Sequence, residues 1–189
     1  MKLLAFADRP PHLSLQGKIA DLCQRESIEL ICTLGDLEFA DIQELQDITT
    51  IPKIGVYGNH CSGTYMEELG IVNMHLRTGT LNGLTFGGFE GCVRYKEGDA
   101  KMYTQEQATQ LLRDFPYVDI FLSHAPPYGV NDEPSEITHQ GFQALHTYLD
   151  EKRPKLWLHG HTYPRPENLV TSFGPTRIEY VFGYKIIEV

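Results

Sequence analysis

Lys2-Leu3-Leu4-Ala5-Phe6-Ala7-Asp8 begins the sequence as an apolar run closed by a carboxylate. Such a run is either the apolar segment of a secretion signal or a strand buried on both faces. It is shorter than the ~7 residues at which a signal's apolar segment starts, and Asp8 ends it. It therefore reads as a first strand, apolar without alternation because neither face meets water. The same grammar recurs down the chain. Ile28 to Thr33 is followed by Gly35-Asp36, and Pro52 to Tyr57 by Gly58-Asn59-His60. Val118 to Ser123 leads into His124-Ala125-Pro126-Pro127, and Lys155 to His159 into Gly160-His161-Thr162-Tyr163. Each apolar strand hands over to a short polar cluster.

Helical patterns lie between these strands. Leu15, Ile19, Leu22 and Cys23 share one helix face, Phe39 to Ile48 reads as a second helix, and Thr64 to Leu69 as a short third. Thr104 and Gln107 form a capping-box pattern that opens a helix to Leu112, and Phe142, Leu145 and Leu149 fall at helical spacing. Strands separated by helices imply right-handed crossovers and a largely parallel sheet. Asn82-Gly83, inside Leu81 to Phe89, signals a hairpin. The tail from Leu169 to Val189, broken at Gly174-Pro175 and Gly183-Tyr184, reads as a β-meander. No repeat or low-complexity linker divides the sequence, so residues 1–189 read as one α/β domain with a mixed or doubled sheet.

Composition narrows the function. With 189 residues, 41% hydrophobic and 22% charged, the chain is neither disordered nor fibrous. No apolar run approaches the ~18 residues of a membrane span. Lys plus Arg is 16 against 25 for Asp plus Glu, a net charge of −9. That balance argues against nucleic acid and anionic membranes and leaves room for a small phosphorylated substrate. Cys23, Cys32, Cys61 and Cys92 form no C-x-x-C pair, which fits reduced thiols in a cytoplasm.

In α/β sheets, ligands bind beyond the carboxyl ends of the strands, so the polar clusters can converge on one crevice. Their side chains are Asp8, Asp36, Asn59, His124 and His161. Oxygen and imidazole donors without thiolate suit Mn, Fe or Zn.

Those clusters resemble the calcineurin-like metallophosphoesterase superfamily, especially its small bacterial and animal members. The family's pattern runs D-x-H, G-D-x-x-D, G-N-H-[DE], a lone His, then G-H-x-H. The counterparts here, in the same order, are Asp8-Arg9-Pro10, Gly35-Asp36-Leu37-Glu38-Phe39, Gly58-Asn59-His60-Cys61, His124 and Gly160-His161-Thr162-Tyr163. The resemblance implies a four-layer α/β-β/α sandwich of two mixed sheets flanked by helices. It also implies two divalent cations bridged by Asp36, with Asn59, His124 and His161 completing the second site and Asp8 serving the first. By the same resemblance, His60 assists the leaving group as a catalytic acid or electrostatic stabiliser, and Asp8 belongs to the catalytic set.

Pro10 and Tyr163 stand where the family has metal-binding His residues, and both losses fall on the first site. The expectation is one or two cations per chain, with the first site deficient. Three rescues are conceivable: His12 reaching back, Tyr163 ligating as phenolate, or Arg9 supplying the positive charge. His159 offers another register for the H-x-H pair. Cys61 replaces the acid that follows G-N-H. Arg9, Arg94 and His139 are candidate substrate contacts. The function expected is hydrolysis of a phosphodiester or phosphomonoester by metal-activated water. The alternative is a catalytically impaired relative that binds metal or a phosphorylated ligand and regulates.

Overall fold

A computed structural model of the chain describes residues 1–8, 19–61, 63, 65–98 and 101–189. Leu15, Thr64, Arg9, Pro10 and His12 lie outside the described residues. Strands β1 (Lys2–Ala7), β2 (Leu30–Thr33), β3 (Lys53–Gly55) and β4 (Val72–Asn73) run parallel in that order. The last strand, β13 (Gly183–Glu188), joins this sheet antiparallel to β1. A second sheet orders β11 (Ser172–Phe173), β12 (Thr176–Tyr180), β10 (Leu156–His159), β9 (Ile120–Ser123), β6 (Leu84–Phe89) and β5 (Thr78–Leu81). Its inner pairs are parallel and its two edge pairs antiparallel. A short parallel ribbon joins β7 (Cys92–Val93) to β8 (Met102–Tyr103).

Alternation along β1 shows why both of its faces are apolar. Leu4 and Phe6 pack outward against Ile19 and Leu22 of helix α1 (Ile19–Glu26), Ile42 of α2 (Phe39–Ile42) and Met66 of α3 (Tyr65–Glu68). Leu3, Ala5 and Ala7 point inward and meet Ile120, Leu122, Leu156 and Leu158 of the second sheet. Beyond that sheet, Phe121 and Trp157 pack under Ala108 and Leu112 of α4 (Gln105–Leu112) and Leu145 and Leu149 of α5 (Gln143–Lys152). The layers are helix, sheet, sheet, helix, as expected. Trp157 stacks on Phe121 at 4.3 Å and donates from Nε1 to Ser123 Oγ at 2.9 Å, which satisfies its one polar atom inside the core.

The hairpin turn falls at Asn82-Gly83, and Thr104 and Gln107 make the full capping box. Other expectations need correction. The helix over 39–48 stops at Ile42 and continues only as a 3₁₀ turn, Gln43–Gln46. Lys53 closes the segment: its buried Nζ donates to Leu45 O at 2.6 Å and Ile48 O at 2.8 Å, carbonyls at the end of the predicted span that have no intrahelical partner. The tail is not a meander. β11 and β12 form a hairpin around Gly174-Pro175, but β12 lies beside β10, and the chain then crosses to the other sheet to place β13 beside β1.

Candidate metal centre

The polar clusters do converge. β1, β2 and β3 deliver Asp8, Asp36 and Asn59 from one sheet, while β9 and β10 deliver His124 and His161 from the other. The turns that aim these groups are strained. Asp8 has φ 42°, Asp36 52° and His161 72°, a left-handed region that non-glycine residues rarely adopt. Two glycines let the loops approach. A Cβ on Gly35, itself at φ 95°, would lie 2.2 Å from Gly58 N and 2.8 Å from His124 Nδ1. A Cβ on Gly58 would strike Asp36 Oδ1 at 2.1 Å.

His124 is the hub. Its Nδ1 donates to Leu34 O at 2.8 Å. Its Nε2 lies 3.1 Å from Asn59 Oδ1, 3.3 Å from Asp36 Oδ2 and 3.1 Å from His161 Nδ1. His161 is anchored the same way, donating from Nε2 to Thr138 O at 2.8 Å, which turns its Nδ1 lone pair inward. Asn59 is oriented by Tyr95, whose hydroxyl accepts from Nδ2 at 3.4 Å and so leaves Oδ1 facing His124. Four donor atoms thus face one point. With metal–ligand bonds of ~2.0–2.2 Å, neighbouring ligand atoms around a tetrahedral or octahedral cation lie ~3.0–3.4 Å apart. The separations here match that spacing. Anchoring the far nitrogen of each imidazole on a carbonyl is also how metal-binding histidines are held. Asp36, Asn59, His124 and His161 therefore fit a divalent cation.

The charges agree. Burial alone would discharge His124, but Asp36 and Asp8 outweigh it and raise its pKa to about 10. His161 shifts the other way, below its ordinary range, through burial and the positive charge on His124. Burial opposes ionisation of Asp36, yet His124 and the N–H of His60 hold it below the usual carboxylate range. Burial raises Asp8 to about 6.

Asp8 stands beside this cluster but not in it. Its Oδ2 accepts from His161 N at 2.6 Å. Among the described residues, the ligand-type side chains gathered within 4.8 Å at this site are Asp36, His124 and His161, without Asp8. His60 is exposed, and its N–H donates to Asp36 Oδ1 at 2.8 Å. A cavity of about 190 Å³ is lined by Asp36, Asn59, His60, Tyr95, His139 and Tyr163, among others. His139 sits edge-on between His161 and Tyr163, 5.8 and 5.6 Å between ring centroids. Arg94 is not on this wall; its guanidinium donates to Met102 O at 2.9 Å. His159 faces away, with Nε2 accepting from Asn131 Nδ2 at 3.0 Å and burial lowering its pKa to about 4, so the His159 register is not the one used. Burial raises the Tyr163 hydroxyl.

Sequence reasoning missed Tyr95, Thr138 and the part played by Cys61. The Cys61 Sγ accepts from Asp36 N at 3.1 Å and Gly58 N at 3.2 Å, tying two of the loops together. Tyr95 and Thr138 lie in loops with no periodic signal, and Thr138 acts through its backbone carbonyl, which any residue supplies.

A family model described as calcineurin-like phosphoesterase matches residues 17–165. One crystal structure superposes with a TM-score of 0.70 at 14% identity, covering 98% of this chain and 94% of its own. The protein TT1561 of Thermus thermophilus gives 0.59 at 18% identity, with 94% and 87% covered. A structure described as a novel archaeal phosphodiesterase gives 0.54 at 14% identity, with 95% and 82% covered. Likeness at these identities speaks to the fold alone. No curated protein matches the chain.

Proposed function

The chain belongs to the calcineurin-like phosphoesterase family, and from that premise we propose that it hydrolyses a small phosphodiester or phosphomonoester in a metal-dependent reaction. Family members are in general metal-dependent phosphoesterases. The observation that carries the reading is the convergence of Asp36 Oδ2, Asn59 Oδ1 and His161 Nδ1 around His124 Nε2, with His60 on the wall of the same cavity. A divalent cation bound there, Mn, Fe or Zn by its donors, supplies Lewis acidity toward a phosphoryl oxygen and lowers the pKa of water.

The protein's own groups do the rest. Asp36 holds His60 through its backbone N–H and so fixes where that imidazole can reach. His60, exposed on the cavity wall, donates a proton to the departing oxygen. His139 and Tyr163 bound the space in which the substrate lies. The cavity has room for a phosphoryl group and opens to solvent, and the net charge of −9 favours a small substrate over a polyanion. No helix among the described residues is long and apolar enough to cross a membrane. We place the reaction in a reducing cytoplasm, a setting supported by four free cysteines.

The test is turnover of p-nitrophenyl phosphate and bis(p-nitrophenyl) phosphate with manganese and with chelator. Metal-dependent release that falls about 100-fold in His60→Gln, with metal content unchanged, supports the reading. Equal rates with metal and with chelator would sink it. One observation favours a second reading, an impaired relative that binds metal or a phosphorylated ligand: Pro10 and Tyr163 stand where the family has metal-binding His residues. Metal binding without turnover would select it.

A further inference from the structure

We infer that this chain holds one cation rather than a pair, and that Asp8 has passed from ligand to positioning residue, its carboxylate aiming His161. The inference rests on the metal-dependent reading above and deepens it. The resemblance implies a further cation served by Asp8, Asp36 and two His residues, and the described residues do not fit one. Pro10 has no donor side chain. Tyr163 is half exposed, its ring set edge-on to Phe182 at 5.5 Å and to His139 at 5.6 Å. Of the donors the resemblance assigns to that cation only Asp8 and Asp36 remain, and among the described residues no group of three or more ligand-type side chains includes Asp8.

One carboxylate oxygen of Asp8 is instead committed to the turn before His161, and its backbone is tied on both sides. Its Oδ2 accepts from His161 N at 2.6 Å, and a Cβ on Gly160 would lie 2.3 Å from the same oxygen, so the carboxylate is packed into the turn before His161. Its own N–H donates to Gly35 O at 3.1 Å, and its carbonyl accepts from Gly183 N at 3.1 Å. A charge-assisted hydrogen bond of that length secures a backbone at φ 72°, which would otherwise relax and swing the imidazole out of line. Asp8 thereby fixes the main chain of His161 while Thr138 O fixes its ring.

The experiment is manganese loading of the full chain by equilibrium dialysis, with elemental analysis and electron paramagnetic resonance. The expected result is one ion per chain with the six-line spectrum of an isolated Mn(II). Asp8→Asn keeps an acceptor for His161 N and should retain both the count and the spectrum. Asp8→Ala removes the acceptor and should weaken manganese binding about 10-fold while still binding one ion. Two exchange-coupled ions in the wild type, or loss of an ion in Asp8→Asn, overturns the inference and leaves the proposed activity standing. A wild type that binds no manganese overturns the proposed activity along with it.

Discussion

Nε2 of His124 lies 3.1 Å from Nδ1 of His161, and Asp36 Oδ2 and Asn59 Oδ1 point at the same nitrogen. His124 already donates from Nδ1 to Leu34 O, and His161 already donates from Nε2 to Thr138 O. In metal-free protein Asp36 and Asp8 favour a proton on His124 Nε2, which a neutral His161 would accept. That proton would put one positive charge at the focus of the donors. A cation and that proton compete for one place.

This competition sets a pH dependence. The folded pKa of His124 is raised from 6.5 to about 10, so the folded state holds this proton more tightly than the unfolded chain does. The stabilisation is fully present below 6.5 and is lost as pH climbs toward about 10. Metal-free protein should lose thermal stability across that window, and manganese-loaded protein should not follow it. At pH 8, calorimetric titration with manganese in buffers of differing ionisation enthalpy should report release of about one proton. A binding enthalpy independent of buffer would contradict the shared-proton arrangement.

His161→Ala removes a donor whose two nitrogens are both committed, one to the metal locus and one to Thr138 O. Manganese affinity should fall by at least about 100-fold, the upper end of what outlying groups cost. Metal-dependent turnover should disappear, and circular dichroism should show the fold intact. Unchanged affinity would remove His161 from the site.

Much of this was legible in the sequence, for a physical reason. Strands buried on both faces must be continuously apolar, so β1, β2, β9 and β10 announce themselves, and the polar residue that ends each run is the one delivered to the strand's carboxyl end. What stayed hidden depends on tertiary contact. Lys53, which follows the 39–48 segment in the chain, folds back onto its last carbonyls, Leu45 O and Ile48 O, a contact no periodicity records. The passage of β13 to the other sheet leaves no mark in its own residues, since an edge strand has the same composition in either sheet. The hydrogen bond from His161 N to Asp8 is invisible to a motif, which records residue type and spacing but not which donor a carboxylate oxygen meets.

Cys61 gives a stability prediction. Its Sγ accepts two backbone N–H groups, from Asp36 and Gly58, where the family pattern has an acid. Cys61→Ala strands both donors in a partly buried place, at about 1–3 kcal/mol. For a chain of this size each kcal/mol lowers the melting temperature by about 2–4 °C. Cys61→Ser keeps an acceptor and should fall between alanine and the wild type. A melting temperature for Cys61→Ala equal to that of the wild type would show that water takes over both N–H groups.

The two substituted positions supply the converse test. If Pro10 and Tyr163 are what deny the chain a second cation, then Pro10→His combined with Tyr163→His should restore one. Tyr163 is half exposed and its ring contacts, with His139 and Phe182, lie at the cavity rim, so the exchange costs little packing. The double variant should bind two manganese ions per chain with an exchange-coupled spectrum, and its turnover should rise as the phosphoryl charge meets two cations instead of one. Either single variant still lacks a donor and should remain at one ion. A double variant that also stays at one ion would mean that the Asp8 carboxylate, locked to His161 N, and not the missing imidazoles, closes the site.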